Sequence, residues 1–309
     1  MDDTSNAIPA AEKAFSRPAS KPVAAWIWGA LGTLAFSFTL PATRLALTGL
    51  DATVVGLGRA IVAGCLAALL LLARRQAPPP RRLWPGLAIV GFGCVLGFPL
   101  FSALALETVP AAHGAVVVGL LPMATAIMGV LRGGERPSLA FWAASGLGLA
   151  AVLVFAAIQG AGRPQLADGF ILVAVALGAW GYAEGGVLAR ELGGWQVISW
   201  ALVLSAPPLL PVVALRAAET GLAAGPLAWL GFAYVSAISM FLGFFAWYRG
   251  LALGGVARIG QIQLAQPVLT LVWSATLLGE AVSAATVLAA LAVMGCVVLT
   301  QRTRIRRAS

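Results

Sequence analysis

Long apolar runs alternate with short polar breaks along almost the whole chain. Ten runs come near the roughly 20 residues that a helix needs to cross a ~30 Å hydrocarbon layer. They lie at 24–43, 52–73, 84–105, 109–131, 138–157, 169–189, 196–215, 226–248, 255–277 and 282–300. The breaks Arg74–Arg82, Arg132–Pro137, Gln159–Asp168, Glu191–Trp195 and Ala217–Gly225 are rich in Gly, Pro or charge, as loops are. Glu107–Pro110 alone parts the third run from the fourth, so the pattern by itself also admits nine helices. Either count makes the chain an all-α integral membrane protein.

Charge decides between the counts, because Lys and Arg accumulate in cytoplasmic loops. With the N-terminus inside and ten spans, fifteen of the 20 Lys and Arg fall on the cytoplasmic side. Only Arg44, Arg163 and Arg216 fall outside, while Arg59 and Arg258 lie within runs. That bias requires an even number of spans and puts both termini in the cytoplasm, as expected of a multi-pass protein of a bacterial inner membrane. The expected boundaries are an N-terminal tail at 1–23, five helices over 24–157, a linker at 158–168, five more helices over 169–300 and a basic tail at 301–309.

Composition agrees with a lipid solvent. The chain is 60% hydrophobic and 10% charged, where a soluble domain carries about 25% charged residues. The net charge of +9 does not point to nucleic acid, since the basic residues sit in separate loops and not on one patch. Cys65, Cys94 and Cys296 lie in apolar stretches without metal or redox spacing. The polar first 22 residues lack the apolar core of a signal peptide. No cofactor or metal is expected, and the sequence does not set the oligomeric state.

A repeat runs through the chain at an offset of 145 residues. Ala112 matches Ala257, Pro122 matches Pro267, Thr125 matches Thr270, Gly134 matches Gly279, Glu135 matches Glu280 and Ser138 matches Ser283. Each copy holds five spans, an odd number, so the second copy is expected upside down. Such inverted halves have two nearly equivalent packings that open to opposite sides, which suits alternating access.

Ten helices in two inverted halves, with a mid-helix Pro in the fourth and ninth spans and Gly-Glu at their ends, resemble the drug/metabolite transporter superfamily, EamA type. The stretch GLGRAIVAGCLAALLL (Gly56–Leu71) is similar to that family's second helix. The resemblance spans residues 24–300. It implies a cavity lined by spans 1, 3, 4, 6, 8 and 9, with spans 5 and 10 peripheral, and relatives that export amino acids, aromatic ones included, or other small metabolites. It also implies a structural role, outside the main cavity, for Arg59. The small proton-coupled multidrug members carry an essential Glu in their first helix; span 1 here has no carboxylate.

The residues themselves suggest where chemistry lies. Pro122 and Pro267 each remove a helical hydrogen bond near mid-membrane and act either as gating kinks or as packing kinks. Gln263, Gln266, Thr270 and Ser274 share one face of span 9, where they either meet a polar substrate or bond neighbouring helices. The matching first-half positions are Val118 and Leu121, so the polar lining is one-sided. Trp180 and Glu184 stand one turn apart on span 6. The carboxylate either binds a substrate amine or carries a proton, unless it reaches the headgroups. Tyr234, Phe241, Phe245 and Tyr248 form a stripe on span 8, facing Phe98, Phe101 and Ser102 on span 3, either as packing or as the wall of a site for a flat ligand. Arg59 needs partners, with backbone carbonyls or Glu107 as candidates. His113 is read as a satisfied interfacial residue, and Glu135 and Glu280 as organisers of the turn into the next helix. Gly93 and Gly97 allow two helices a close approach.

These features give a secondary transporter of small molecules in a lipid bilayer, with neutral or aromatic amino acids as expected cargo and export as expected direction. Other metabolites or drugs are the alternative cargo, and a channel or receptor the alternative class. No phosphate-binding loop for ATP occurs, and one His without paired intramembrane aspartates does not make an enzyme.

Overall fold

The computed structural model describes residues 22–133, 136–159, 165–254, 259–302 and 305–306. Among them, seven helices are long and apolar enough to cross a membrane. These are α1 (Val23–Ala46), α2 (Ala52–Ala73), α3 (Arg81–Leu106), α4 (Ala111–Gly129), α6 (Leu166–Leu192), α7 (Gly194–Thr220) and α8 (Pro226–Gly254). Three shorter apolar helices stand at the other predicted runs: α5 (Leu139–Phe155), α9 (Ile262–Leu277) and α10 (Ala284–Cys296). Two short strands, β1 (Arg136–Pro137) and β2 (Ile305–Arg306), pair antiparallel. Of the sequence expectations, Gly134, Glu135, Arg163, Ala257, Arg258 and most of the two tails lie outside the described residues.

Helix starts follow local chemistry. The Asp51 carboxylate accepts the N–H groups of Thr53 (2.9 Å) and Val54 (3.3 Å), capping α2. Ser138 accepts the Phe141 N–H at 3.2 Å and Ser283 the Thr286 N–H at 3.1 Å, so the matched serines of the repeat cap α5 and α10. Gly193 has φ +96°, a conformation that costs other residues dearly, and lets α6 pass straight into α7.

Packing is between antiparallel neighbours brought close by glycine. α1 lies on α8, with Gly29 against Gly250 and Gly32 against Trp247. α3 lies on α6, where a methyl on Gly93 would overlap the Leu177 carbonyl and one on Gly181 the Cys94 sulfur. The Gly93–Gly97 pair therefore serves contact within the chain. α2 packs on α7 through Gly64 and Ala206, and α5 on α10 through Gly148 and Cys296. α4 is the most enclosed of the seven long helices, 78% buried over its most apolar stretch, and α7 the least at 39%. The outer faces show Leu and Val side chains such as Leu34, Leu69, Leu72, Leu153 and Leu210, as lipid contact demands.

Polar contacts gather at the two ends of the bundle. At one end Arg216 pairs with Asp51 at 3.0 Å, and Arg44 donates to the carbonyls of Leu106 (2.5 Å) and Glu107 (3.2 Å). At the other, Arg82 pairs with Glu191, and Arg249 lies 4.9 Å over the Trp28 ring.

Several rods are not straight. α1 breaks at Phe38, α4 at Gly119–Leu120 ahead of Pro122, and α9 begins with a 3-10 stretch, Gly260–Leu264, ahead of Pro267. α3 and α8 each contain π-helical turns, at Gly91–Gly97 and Tyr234–Leu242.

Candidate functional site

The break in α1 is the first feature that sequence reading missed. Pro41 has no N–H to offer the Ser37 carbonyl one turn back. The Thr270 hydroxyl of α9 supplies it instead, at 2.7 Å. The Trp273 indole N–H donates to the Ser37 hydroxyl at 3.0 Å, and the Tyr234 hydroxyl to the Ala35 carbonyl at 3.0 Å. Phe38 meets the Tyr234 ring edge-on at 4.9 Å. Thr270 and Tyr234, read from the sequence as substrate contacts, thus each spend their hydroxyl proton on the broken stretch of α1. The signal was a proline inside an apolar run.

Pro122 and Pro267, expected in mid-helix, each stand instead in the first turn after a break. Each deprives the carbonyl four residues earlier, those of Val118 and Gln263, of its helical donor. A methyl on Gly119 would lie 3.4 Å from Cγ of Pro267, so the breaks in α4 and α9 face one another.

The predicted polar face of α9 is buried throughout: Gln263 is 2% exposed, Gln266 6%, Thr270 1% and Ser274 0%. Gln263 faces the Tyr182 hydroxyl, yet neither its oxygen nor its nitrogen has a hydrogen bond of good geometry. Gln266 makes no hydrogen bond with any described residue. An amide enclosed in this way is costly unless something satisfies it.

Tyr182 stands at the middle of an aromatic cage that the sequence did not reveal. Its ring lies 6.0 Å from Phe36, 5.8 Å from Phe244 and 5.6 Å from Trp247. Beside it the Tyr248 hydroxyl donates to the Gly181 carbonyl at 3.3 Å and meets the Cys94 sulfur at 3.6 Å. Glu184, one half-turn along from Tyr182, is buried between α6 and the Gly86 end of α3, within electrostatic reach of Tyr248.

Other predicted residues do not join this cage. Trp180 is 39% exposed. Four residues advance a helix about 40° past a full turn, enough to carry it from the face of Glu184 to the surface. The aromatic stripe of α8 is split, because its π-helical turns take in extra residues and rotate everything beyond them. Tyr234 then turns to α1, Phe241 pairs with Phe245 at 4.5 Å, and Tyr248 turns to α3 and α6. Phe101 is half-buried against Phe170 at 5.9 Å, and Ser102 donates to the Pro99 carbonyl of its own helix at 3.2 Å.

Two further polar contacts revise the sequence reading. His113 is bonded at 2.6 Å to Asp168, both buried, and Asp168 also accepts the Gln165 N–H that opens α6 at 2.7 Å. Glu280 does not act on the helix that follows it; its carboxylate accepts N–H groups at the start of α4. Glu107 is exposed and gives Arg59 no ion pair. No group of three or more potential metal ligands occurs among the described residues.

Comparison with known proteins adds to this geometry. The EamA-like transporter family matches the chain twice, over residues 23–157 and 165–301. An uncharacterized transporter of Bacillus subtilis (strain 168), YdeK, is 48% identical over 283 residues, covering 92% of this chain and 99% of that one. An uncharacterized protein of Pseudomonas aeruginosa is 32% identical over 255 residues, covering 79% of this chain and 82% of its own. A crystal structure with 20% identity superposes with a TM-score of 0.62, over 89% of this chain and 95% of that one, and so shares the fold.

Proposed function

We propose, starting from the fact that the chain belongs to the EamA-like transporter family, that it is a secondary transporter exporting neutral or aromatic amino acids from a bacterial cytoplasm. In this reading all ten helices cross the inner membrane as two inverted five-helix halves, both termini are cytoplasmic, and cargo moves by alternating access.

The observation that carries the reading is the matched irregularity of the backbone. π-helical turns fall in α3 and α8, and proline-led breaks in α4 and α9. These are the pairs that the 145-residue offset relates. Exchanging the two halves also maps the packing onto itself, since α1 on α8 becomes α6 on α3, while α2 on α7, α4 on α9 and α5 on α10 are unchanged. The family matching each half separately points the same way. Two inverted halves have two packings of similar energy, which open a shared midplane site to one side or the other. Aromatic walls from Phe36, Tyr182, Phe244 and Trp247, with the amides of Gln263 and Gln266 and the Glu184 carboxylate near them, suit a flat apolar side chain and an amino group.

Counterflow in proteoliposomes tests this. Vesicles preloaded with one amino acid at a time are followed for entry of labelled trace, and saturable accumulation is expected with the aromatic or other neutral members. Absence of exchange across the panel by folded protein would overturn the amino-acid cargo. Unitary conductance without saturable exchange would make the molecule a channel.

A further inference from the structure

We infer that Arg59 binds the carboxylate of the transported molecule, so that the substrate class is small monocarboxylates with an apolar or aromatic body. The inference rests on the transport reading above and deepens it, and it replaces the structural role that the sequence suggested for this residue.

Among the described residues Arg59 is the one Lys or Arg that is buried, at 2% exposure. It makes no ion pair and no hydrogen bond with them, and its Nε is enclosed without a partner. Among the described carboxylates, Asp51 serves Arg216 and the α2 cap, Asp168 holds His113, Glu280 caps α4, Glu191 pairs with Arg82, Glu219 with Arg216, Glu107 is on the surface, and the buried Glu184 lies at the Gly86 end of α3. A cation kept in low dielectric without a counter-charge weakens the resting fold, and polar residues kept inside a membrane at such cost mark binding paths.

The position is equally specific. α2 packs on α7 by one side and on α3 and α8 by the other. Gly56, one turn before Arg59, lies against Leu100 of α3, and Gly58 against Phe232 of α8. From there the guanidinium comes within electrostatic reach of the Tyr182 hydroxyl on α6, beyond the α3–α8 layer. Among the described residues those are the two helices that carry π-helical turns, and such turns recur at functional sites. Around Tyr182 the guanidinium fork, the phenol and the Gln263 amide nitrogen can donate, and the Arg59 guanidinium supplies positive charge beside the Gln263 amide oxygen, an acceptor without charge. A carboxylate is an acceptor of matching shape, and one negative charge balances the single cation, whereas a phosphate dianion would leave charge over. The ring cage next to it takes the apolar body.

The test uses full-length protein in proteoliposomes with three probes: phenylalanine, 3-phenylpropionate (the acid without the amine) and phenylalaninamide (the amine without the acid). Counterflow of the two acids and none of the amide is expected. Arg59→Gln should lower exchange of the acids at least tenfold, and Arg59→Lys should recover part of it, because the charge returns without the fork. A structural arginine would lower the melting temperature of the ligand-free protein when replaced; here Arg59→Gln should leave it unchanged or raise it. Amide exchanged as well as acid, acid exchange by Arg59→Gln within twofold of the parent, or a melting temperature that falls with substitution would each overturn the assignment. Exchange of 3-phenylpropionate that depends on Arg59, with phenylalanine refused, would sink the amino-acid reading and keep this one. Phenylalanine exchanged equally by parent and Arg59→Gln would do the reverse, and no exchange of either acid would overturn both. If Arg59→Gln fails to fold, Arg59→Lys and the acid–amide contrast in the parent decide the question.

Discussion

Glu280, at the far end of α9, accepts the backbone N–H of Ala111 at 2.9 Å across 169 positions of sequence. Its second oxygen accepts the Ala112 N–H, also at 2.9 Å. These are orphan donors of the first turn of α4, and a carboxylate there also meets the positive end of the helix dipole. Glu280→Ala should therefore cost about 2 kcal/mol, the upper range for a helix cap, and Glu280→Asp nearly as much because its shorter arm does not reach. Thermal denaturation in detergent measures it; a loss under about 0.5 kcal/mol, typical of an uninvolved surface site, would mean the cap is dispensable.

The bond from Thr270 to the Ser37 carbonyl makes a claim about Pro41. Thr270→Val should destabilise by about 1 kcal/mol, while Thr270→Ser keeps the hydroxyl and most of the stability. In a Pro41→Ala background the helix regains its own donor, so Thr270→Val should cost clearly less. Strict additivity of the two substitutions in a double-mutant cycle would show that the proline and the threonine are unrelated.

Glu184 carries a separate expectation under the transport reading. Glu184→Gln preserves shape and removes charge, so it should flatten the pH dependence of counterflow while the protein still folds. A pH profile that matches the parent's would take this carboxylate out of the mechanism.

The Gln266 amide, like that of Gln263, makes no hydrogen bond of good geometry with a described residue, and a substrate that supplies one would lose it in Gln266→Ala. About a tenfold fall in apparent affinity is expected, the worth of one buried hydrogen bond, with membrane abundance held. A fall in abundance with affinity unchanged would instead assign Gln266 to packing.

The sequence carried the helices, the 145-residue offset and the polar face of α9, because a glutamine in an apolar run or a repeated Pro-Thr-Glu-Ser spacing stands out without any tertiary knowledge. It carried less of the site. The α8 stripe was counted at 3.6 residues per turn, and nothing in the letters of Tyr234–Leu242 marks π-helical turns. Asp168 read as a linker residue because its partner His113 is 55 positions away. Tyr182 stood between two residues that drew attention, Trp180 and Glu184, and only packing shows that it is the one enclosed by Phe36, Phe244 and Trp247. Arg59 was assigned to structure by resemblance, and its lack of a counter-charge among the described residues is visible only once their carboxylates are located in space.

The π-helical turns in α3 and α8 also bear on length. Each holds residues beyond what an α-helix of the same reach requires, since its hydrogen bonds close one residue later. In a packed bundle a helix ordinarily tolerates no deletion, because losing one residue rotates all that follows by about 100°. Within Gly91–Gly97 and Tyr234–Leu242 the same loss tightens a turn and leaves both ends in phase. These two stretches are where chains of this fold can differ in length by one residue while every contact above and below them stays in register.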